Sequence, residues 1–213
     1  MKNNREYREM QTLAAIIGEE EREENKTVSG YASTFNDPYV LYEDDGIVYV
    51  EQVSPRAFDN TDMTDVIMQY DHEGRVFART RNNTLRVEPN DEGLFIEADL
   101  GGTELGRQLY DEIRGGYTDK MSFGFIVSDD EVLRRTAEDG REEFFRTITG
   151  ISKLFDVSAV SIPANDGTSI GVSTRCLIDG AIEEVRAERL AAEKLEEERL
   201  KTELRAKALG GKI

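Results

Sequence analysis

A chain of 213 residues is long enough for one domain of ordinary size with an appendage. Its formal net charge of −17 disfavours binding to nucleic-acid phosphates and to anionic membranes. No run of about 18 apolar residues predicts a membrane span, and the first residues lack the apolar core of a secretory signal. A single cysteine, Cys176, excludes an internal disulfide, and with only one histidine a His/Cys metal cluster is not expected. We therefore predict a protein without metal or cofactor, in a reducing cytosol.

Composition divides the chain into three parts. Residues 1–25 form a polar N-terminal segment that ends in an acidic run at residues 19–24, which is either a solvated linker or a frayed helix. Residues 26–178 carry the strand-like patterns and form the predicted domain. Residues 179–213 are rich in Glu, Arg, Lys, Ala and Leu, which predicts a charged C-terminal helix.

Alternating and apolar segments separated by turn residues predict eight or nine short strands in the middle part. They are residues 28–35, 47–53, 66–70, 76–79, 84–87, 93–100, 121–127, 143–148 and 155–162. A short helix is predicted at residues 54–58, a longer one at 103–114 with Thr103 as its N-cap, and a mobile loop at 129–140. This order predicts a mainly β (α+β) fold, a closed or nearly closed antiparallel β-barrel with flanking helices.

The predicted C-terminal helix has apolar positions that do not keep a strict heptad. A long, mostly exposed helix that docks on a partner fits this pattern better than a committed coiled coil. A solvated helix without a specific partner is the alternative.

A serine lies inside the most apolar of the predicted strands, Met121-Ser122-Phe123-Gly124-Phe125. Side chains alternate along a strand, so three large residues would face the core while Ser122 shares its face with a glycine. Such a serine is well presented as a nucleophile. The alternative is an ordinary strand serine that hydrogen-bonds its neighbours.

Two further residues have the chemistry that a nucleophilic serine needs. His72, the one histidine, lies at the end of a predicted strand, and Asp156 interrupts another apolar strand, where a carboxylate requires a partner. Acyl transfer uses a hydroxyl, a base that takes its proton, and a carboxylate that orients the base. Ser122, His72 and Asp156 are therefore the candidate catalytic residues.

An ordered series of short motifs resembles the prohead (capsid maturation) proteases of tailed phages, whose fold is similar to that of the herpesvirus assemblins. The motifs are Gly30-Tyr31-Ala32 with Phe35, Glu51 with residues 55–59, Asp71-His72-Glu73, Gly93-Leu94, residues 121–125, residues 154–158 and Pro163-Ala164-Asn165. By this resemblance Ser122 is the nucleophile, His72 is the general base, and Asp156 occupies the acidic position before Val-Ser.

The resemblance has departures. The family more often has Asn where Asp71 stands, Glu where Asp156 stands, and Gly where Arg56 stands. The donors that would stabilise the oxyanion are not fixed by the pattern. Backbone amides near residues 123–124, Arg79 and Arg81 are the candidates.

The resemblance implies a serine endopeptidase that cleaves the major capsid protein and its scaffolding segment, and also itself, inside the assembling prohead in the host cytoplasm. Self-association is a further expectation. One alternative is a non-enzymatic capsid-assembly or scaffolding protein with the same barrel. The other, a metal-dependent hydrolase, lacks clustered carboxylates accompanied by a histidine pair.

Overall fold

The computed structural model describes residues 5–10, 26–44, 46–137, 139–160 and 172–210, without the side chains of residues 9–10, 172–176 and 206–210. The chain divides into two compact units, Met1–Arg175 and Cys176–Ile213. The acidic run at residues 19–24 and the Pro163-Ala164-Asn165 motif lie outside the described residues. Among the described helices, none is long and apolar enough to cross a membrane.

The first unit is mainly β. Its elements are β1 (Glu6–Met10), β2 (Thr27–Thr34), β3 (Tyr39–Asp44), β4 (Ile47–Val53), β5 (Ile67–Tyr70), β6 (Glu73–Arg79), β7 (Leu85–Pro89), β8 (Gly93–Asp99), α1 (Glu104–Arg114), β9 (Lys120–Thr136) and β10 (Glu142–Val160). A short 3-10 turn, Thr80–Asn82, follows β6.

The larger sheet is built around β10, which is 19 residues long. One edge of β10 pairs with β9 in antiparallel fashion. Its other edge pairs in parallel with β4 along its first half and with β5 near its end. Strand β1 extends the sheet beyond β9, β3 extends it beyond β4, and β6 pairs with β5. The long central strand thereby brings β5 and β9 to its two sides at the same level.

The smaller sheet has the order β2-β8-β7, and both sheets contribute to one hydrophobic core. Met121, Phe123 and Phe125 are fully buried in this core, which confirms the alternation predicted for their strand. The predicted closed or nearly closed antiparallel barrel is not confirmed, because the described strands form two separate sheets and β10 runs parallel to β4 and β5. Alternation identifies strands and their inward faces, but it does not specify partners or direction. Similarity to the herpesvirus protease fold is not confirmed.

The segment predicted as a mobile loop, residues 129–140, is mostly strand. Strands β9 and β10 continue past the core as a long hairpin, and Arg134 and Arg135 pair across it with Glu142 and Glu143. Both faces of this extension are largely exposed, so its sequence lacks the apolar alternation that identifies a half-buried strand. The helix predicted at residues 54–58 is also wrong, since turns occupy that segment.

Helix α1 begins as predicted, with the Thr103 side chain accepting a hydrogen bond from the Gly106 amide. Leu109 and Ile113 are buried, whereas Leu105 is exposed. In the second unit, α2 (Val172–Gly210) is longer than the helix predicted from residue 179, and its described leucines from Leu190 onward are exposed. The three-part division of the chain stays a prediction.

Strand β1 was not predicted from the sequence. Its residues Glu6–Met10 pair antiparallel with residues 121–125 of β9. A strand that joins a sheet through its backbone, and whose sequence alternates charged and polar residues, gives no apolar pattern to recognise.

Replacing Phe123 by alanine tests the core beneath the Ser122 strand. Phe123 is fully buried and stacks on Phe125 with ring centroids 4.5 Å apart. We expect Phe123→Ala to lower the free energy of unfolding by about 3–5 kcal/mol, measured by denaturant titration. Tyr117→Ala, at a side chain that is 81% exposed, is the control and should change it by less than about 0.5 kcal/mol. Equal losses for the two variants would contradict the assigned core.

Candidate active site

Three neighbouring strands carry the residues singled out from the sequence. Ser122 lies on β9 directly opposite Ser158 of β10, and Asp156 lies on β10 opposite Gly124. His72 lies in the turn between β5 and β6, where β5 is the parallel partner of the same part of β10. Residues far apart in sequence therefore meet at one end of three paired strands.

The side chains of these residues form a hydrogen-bonded chain. The His72 Nε2 atom lies 2.5 Å from the Ser122 hydroxyl oxygen, and His72 Nδ1 lies 2.5 Å from Oδ1 of Asp156. Ser122 and Asp156 are fully buried, while the His72 side chain is 15% exposed. With Asp156 ionised, its carboxylate assigns the ring proton to Nδ1 and leaves Nε2 as an acceptor for the serine proton.

A β-bulge places Asp156 on the same face as Ser122. Leu154 pairs with Phe125, but the next paired residue is Asp156, opposite Gly124, so Phe155 is the extra residue. Without this bulge Asp156 would pair with Phe123 and point into the core. The bulge therefore directs the carboxylate towards His72, a use of bulges that recurs next to active sites.

Gly124 leaves the space that the carboxylate occupies. A Cβ atom at this position would collide with Oδ2 of Asp156 and lie only 2.8 Å from Nη2 of Arg5. The glycine between the two phenylalanines thus has a steric reason that the alternation pattern alone did not reveal.

Three donors from different elements surround the buried Asp156 carboxylate. His72 and the Ser158 hydroxyl, at 2.8 Å, donate to Oδ1, while the Arg5 guanidinium pairs with Oδ2. A buried carboxylate is tolerable only when it is paired in this way. The contacts of Ser158 and Arg5 with Asp156 could not be inferred from the sequence, because only the folded chain brings these residues together.

A tight turn holds the histidine. Asp71 and His72 are the two residues between the paired Tyr70 and Glu73, and their φ angles are 47° and 59°. Positive φ at both central positions is what type I′ hairpin turns require, and Asn and Asp tolerate it better than most residues. Asp71 is therefore a conservative departure from the asparagine expected there. The sequence predicted His72 at the end of a strand, whereas the structure places it within this turn.

Strand β1 supplies a second set of contacts. The Tyr7 ring packs edge-on against the His72 ring with centroids 4.4 Å apart. The Ser122 hydroxyl lies 2.9 Å from the backbone carbonyl oxygen of Arg8, to which it donates. The Arg5 guanidinium lies over the rings of Tyr7 and Phe155.

The surroundings of His72 keep it neutral. Burial and the positive charge of Arg5 lower the pKa of His72 to about 4, against a smaller opposing effect of Asp71. Because Arg5 also pairs with Asp156, it offsets part of the negative charge that would otherwise favour the imidazolium.

The arginines suggested as oxyanion donors are engaged elsewhere. Arg79 donates two hydrogen bonds of 2.6 Å to Asp65, and Arg81 contacts the same carboxylate. The amides near residues 123–124 lie in the ladder between β1 and β10, and their role stays a prediction. Arg56 pairs with Asp59 in an exposed turn. Within the described part of the chain, no group of three or more His, Cys, Asp or Glu side chains could hold a metal ion.

Comparison with protein families places the chain beside a known family. A family model described as caudovirus prohead serine protease matches residues 15–180. Comparisons with curated proteins and with solved structures gave no match. Strand β1 precedes the matched range, so the contacts of Arg5, Tyr7 and Arg8 lie outside it.

The single histidine makes its protonation directly measurable by NMR. At about pH 5.5 an unperturbed imidazole is mostly protonated, but we expect the His72 signals to be those of a neutral ring. Arg5→Gln removes a positive charge and should move the midpoint to higher pH. Arg86→Gln, at an exposed arginine on β7, is the matched control and should leave it unchanged. A midpoint near 6.5 in the unmodified chain would contradict this account of the site.

Proposed function

Because this chain belongs to the caudovirus prohead serine protease family, we propose that it is an endopeptidase with Ser122 as nucleophile and His72 as general base. Asp156 orients the imidazole and stabilises its charged form. The observation that carries this proposal is the 2.5 Å separation on each side of the His72 ring, to the serine hydroxyl and to the carboxylate. Hydroxyl, base and carboxylate in this order are the parts that acyl transfer requires.

In the first half-reaction, His72 Nε2 takes the hydroxyl proton as Ser122 Oγ attacks the carbonyl carbon of a peptide bond. The tetrahedral intermediate collapses when the imidazolium gives that proton to the leaving amine, so the C–N bond breaks and an acyl-enzyme forms. In the second half-reaction, His72 takes a proton from water, whose oxygen attacks the ester carbonyl. The proton then returns to Ser122 Oγ, and the net reaction is hydrolysis of one peptide bond by one water.

Asp156 acts through the histidine. Its Oδ1 atom fixes the Nδ1–H tautomer, and its negative charge stabilises the imidazolium that forms in each half-reaction. Asp is one methylene shorter than the family's Glu, yet its Oδ1 atom lies 2.5 Å from His72 Nδ1. The shorter side chain is therefore compatible with the role.

The proposed substrates are the major capsid protein with its scaffolding segment, and the protease itself. The proposed place of action is the interior of the assembling prohead in the host cytoplasm. The exposed apolar residues of α2 support docking on a partner during packaging, because five described leucines of this helix are exposed: Leu177, Leu190, Leu195, Leu200 and Leu204. Self-association belongs to the same proposal.

Replacing the nucleophile tests the reaction. We expect Ser122→Ala to lower the rate of capsid-protein cleavage by about 10⁴-fold or more, because the acyl-enzyme can no longer form. Co-expression with the capsid protein, followed by intact-mass measurement, should show full-length capsid protein with this variant and shortened protein with the unmodified chain.

Ser152→Ala is the matched control, because Ser152 is an exposed serine on the same strand as Asp156. It should cleave normally. Cleavage that persists undiminished in Ser122→Ala would refute the assigned nucleophile. Full-length capsid protein with the unmodified chain would instead favour the non-enzymatic alternative.

The pH dependence of cleavage follows from the charge on His72. Protonated imidazole cannot accept the serine proton, so kcat/KM should fall as pH drops through the pKa of about 4 and stay level from there to neutrality. In Arg5→Gln the acidic limb should move to higher pH, since the lost positive charge no longer opposes protonation. If the acidic limb of the kcat/KM profile lies at the same pH in both proteins, Arg5 does not influence the pKa of His72.

A further inference from the structure

Strand β1 and Arg5, the residue immediately before it, together contact every member of the proposed triad. Arg5 pairs with Asp156, the Tyr7 ring packs on His72, and the Arg8 carbonyl accepts the Ser122 hydroxyl. One short segment of extended backbone thus lies across the whole site, with a peptide carbonyl at the nucleophile.

Strand β1 is bound to the edge of the larger sheet in the way that an added peptide strand would be. It pairs along residues 121–125 on the edge of β9 that β10 does not use, with Glu9 opposite Ser122. Addition of an extended peptide to a sheet edge is a common mode of peptide recognition, in which backbone pairing gives affinity and side-chain pockets give specificity. The edge that β1 occupies is therefore one that a substrate peptide would fit.

Contacts with β1 hold the site in a resting state. The Ser122 hydroxyl has one proton, for which His72 Nε2 and the Arg8 carbonyl oxygen compete. The charge of Arg5 also weakens the base, and Arg5 Nε is buried without a hydrogen-bond partner among the described residues. An arrangement that weakens the base and leaves a donor unsatisfied fits an occupant that is displaced during turnover.

The Arg8 side chain identifies a pocket. It is 3% exposed, and its guanidinium forms two parallel hydrogen bonds with the Glu51 carboxylate of β4, of which the Nη2–Oε2 bond is 2.9 Å. Around Glu51 lie Arg146, at 2.8 Å, and the Tyr39 hydroxyl, at 2.6 Å, while Asp130 holds Arg146 from the other side at 2.5 Å. We call Glu51, Tyr39, Asp130 and Arg146 the Glu51 pocket.

The charges of the Glu51 pocket favour a cation. Glu51 and Asp130 contribute two negative charges and Arg146 one positive charge, which leaves one negative charge for the incoming side chain to neutralise. Glu6 of β1 adds a further carboxylate 2.6 Å from Arg8 Nη2, so an acidic residue two positions earlier would assist. A planar guanidinium matches a carboxylate in two places at once, which favours Arg over Lys.

We propose that β1 occupies the substrate-binding edge of β9, and that the Glu51 pocket selects substrates with a basic residue, Arg above Lys, immediately before the cleaved bond. This inference rests on the proposed endopeptidase function. Glu51 is in this view a specificity residue that binds substrate and takes no part in the bond-breaking steps.

A peptide series tests the selectivity. The probe is a synthetic peptide of residues 2–14 of this chain, with Arg, Lys, Gln or Leu at the position of Arg8, and its cleavage is followed by mass spectrometry. With the unmodified full-length protein we expect cleavage after the residue at position 8. The kcat/KM of the peptide with Arg there should be about 10- to 100-fold higher than that of the Gln peptide, with an intermediate value for Lys. In parallel, the bonds cleaved in co-expressed capsid protein should follow Arg or Lys.

Changing the pocket should change the ratio between peptides. In Glu51→Gln the Arg-to-Gln ratio of kcat/KM should fall towards one, because the incoming guanidinium loses its carboxylate partner. Glu43→Gln, at an exposed glutamate on β3, is the matched control and should keep the ratio. If circular dichroism shows that Glu51→Gln fails to fold, the Arg-to-Gln ratio of kcat/KM measured with the unmodified protein tests the proposed selectivity.

Weakening the hold of β1 should open the edge. Arg8→Gln should raise kcat/KM for the Arg peptide about 10-fold in the full-length protein, while Arg86→Gln should not. A rate that Arg8→Gln leaves unchanged or lowers would overturn the resting-state role of β1.

The outcomes separate the inference from the function beneath it. Ser122-dependent cleavage without preference for a basic residue would overturn the pocket and leave the endopeptidase proposal standing. Absence of any Ser122-dependent cleavage of peptides or capsid protein would overturn both.

Discussion

The fully buried carboxylate of Asp156 is the constraint on which the rest of the site depends. A lone ion in the interior would be strongly destabilising, so the fold must bring donors to it. The donors are His72 in the β5–β6 turn, Ser158 on β10 itself and Arg5 immediately before β1. The bulge at Phe155 and the absence of a side chain at Gly124 are the local features that make room for this arrangement.

A second buried charge cluster lies along the same strands. Arg146 stands on β10 ten residues before Asp156, and its partner Asp130 stands on β9 eight residues after Ser122. The β9–β10 pair thus supports the candidate catalytic residues at one end and the Glu51 pocket further along. The N-terminal segment contributes to both, through Arg5, the residue before β1, at the first and Arg8 of β1 at the second. A shift of β1 would therefore alter contacts both at the candidate catalytic residues and at the Glu51 pocket.

The sequence indicated which three side chains would come together, but not the strand pairing that brings them together. Ser122, His72 and Asp156 could be identified because each is chemically out of place or unique: a serine among phenylalanines, a single imidazole, a carboxylate in an apolar strand. Strand pairing could not be identified in this way, because alternation indicates which face is buried and nothing about the neighbour. For this reason the predicted barrel is not confirmed, whereas the strands at residues 129–136 and 6–10 were missed because their sequences lack an apolar alternation. Helix α1 has its own local start and stop residues and was predicted well.

The extra residue at Phe155 makes this part of β10 sensitive to length in a way that it is not to composition. An exchange of one side chain for another of similar size alters a contact, but insertion of one further residue between Leu154 and Asp156, with the single bulge retained, would invert every position that follows. The acid would then lie opposite Phe123 and face the hydrocarbon interior, and Phe155 would replace it beside the imidazole. Homologous chains are accordingly free to interchange Asp and Glu here, while single-residue insertions between these positions should be absent from all working members.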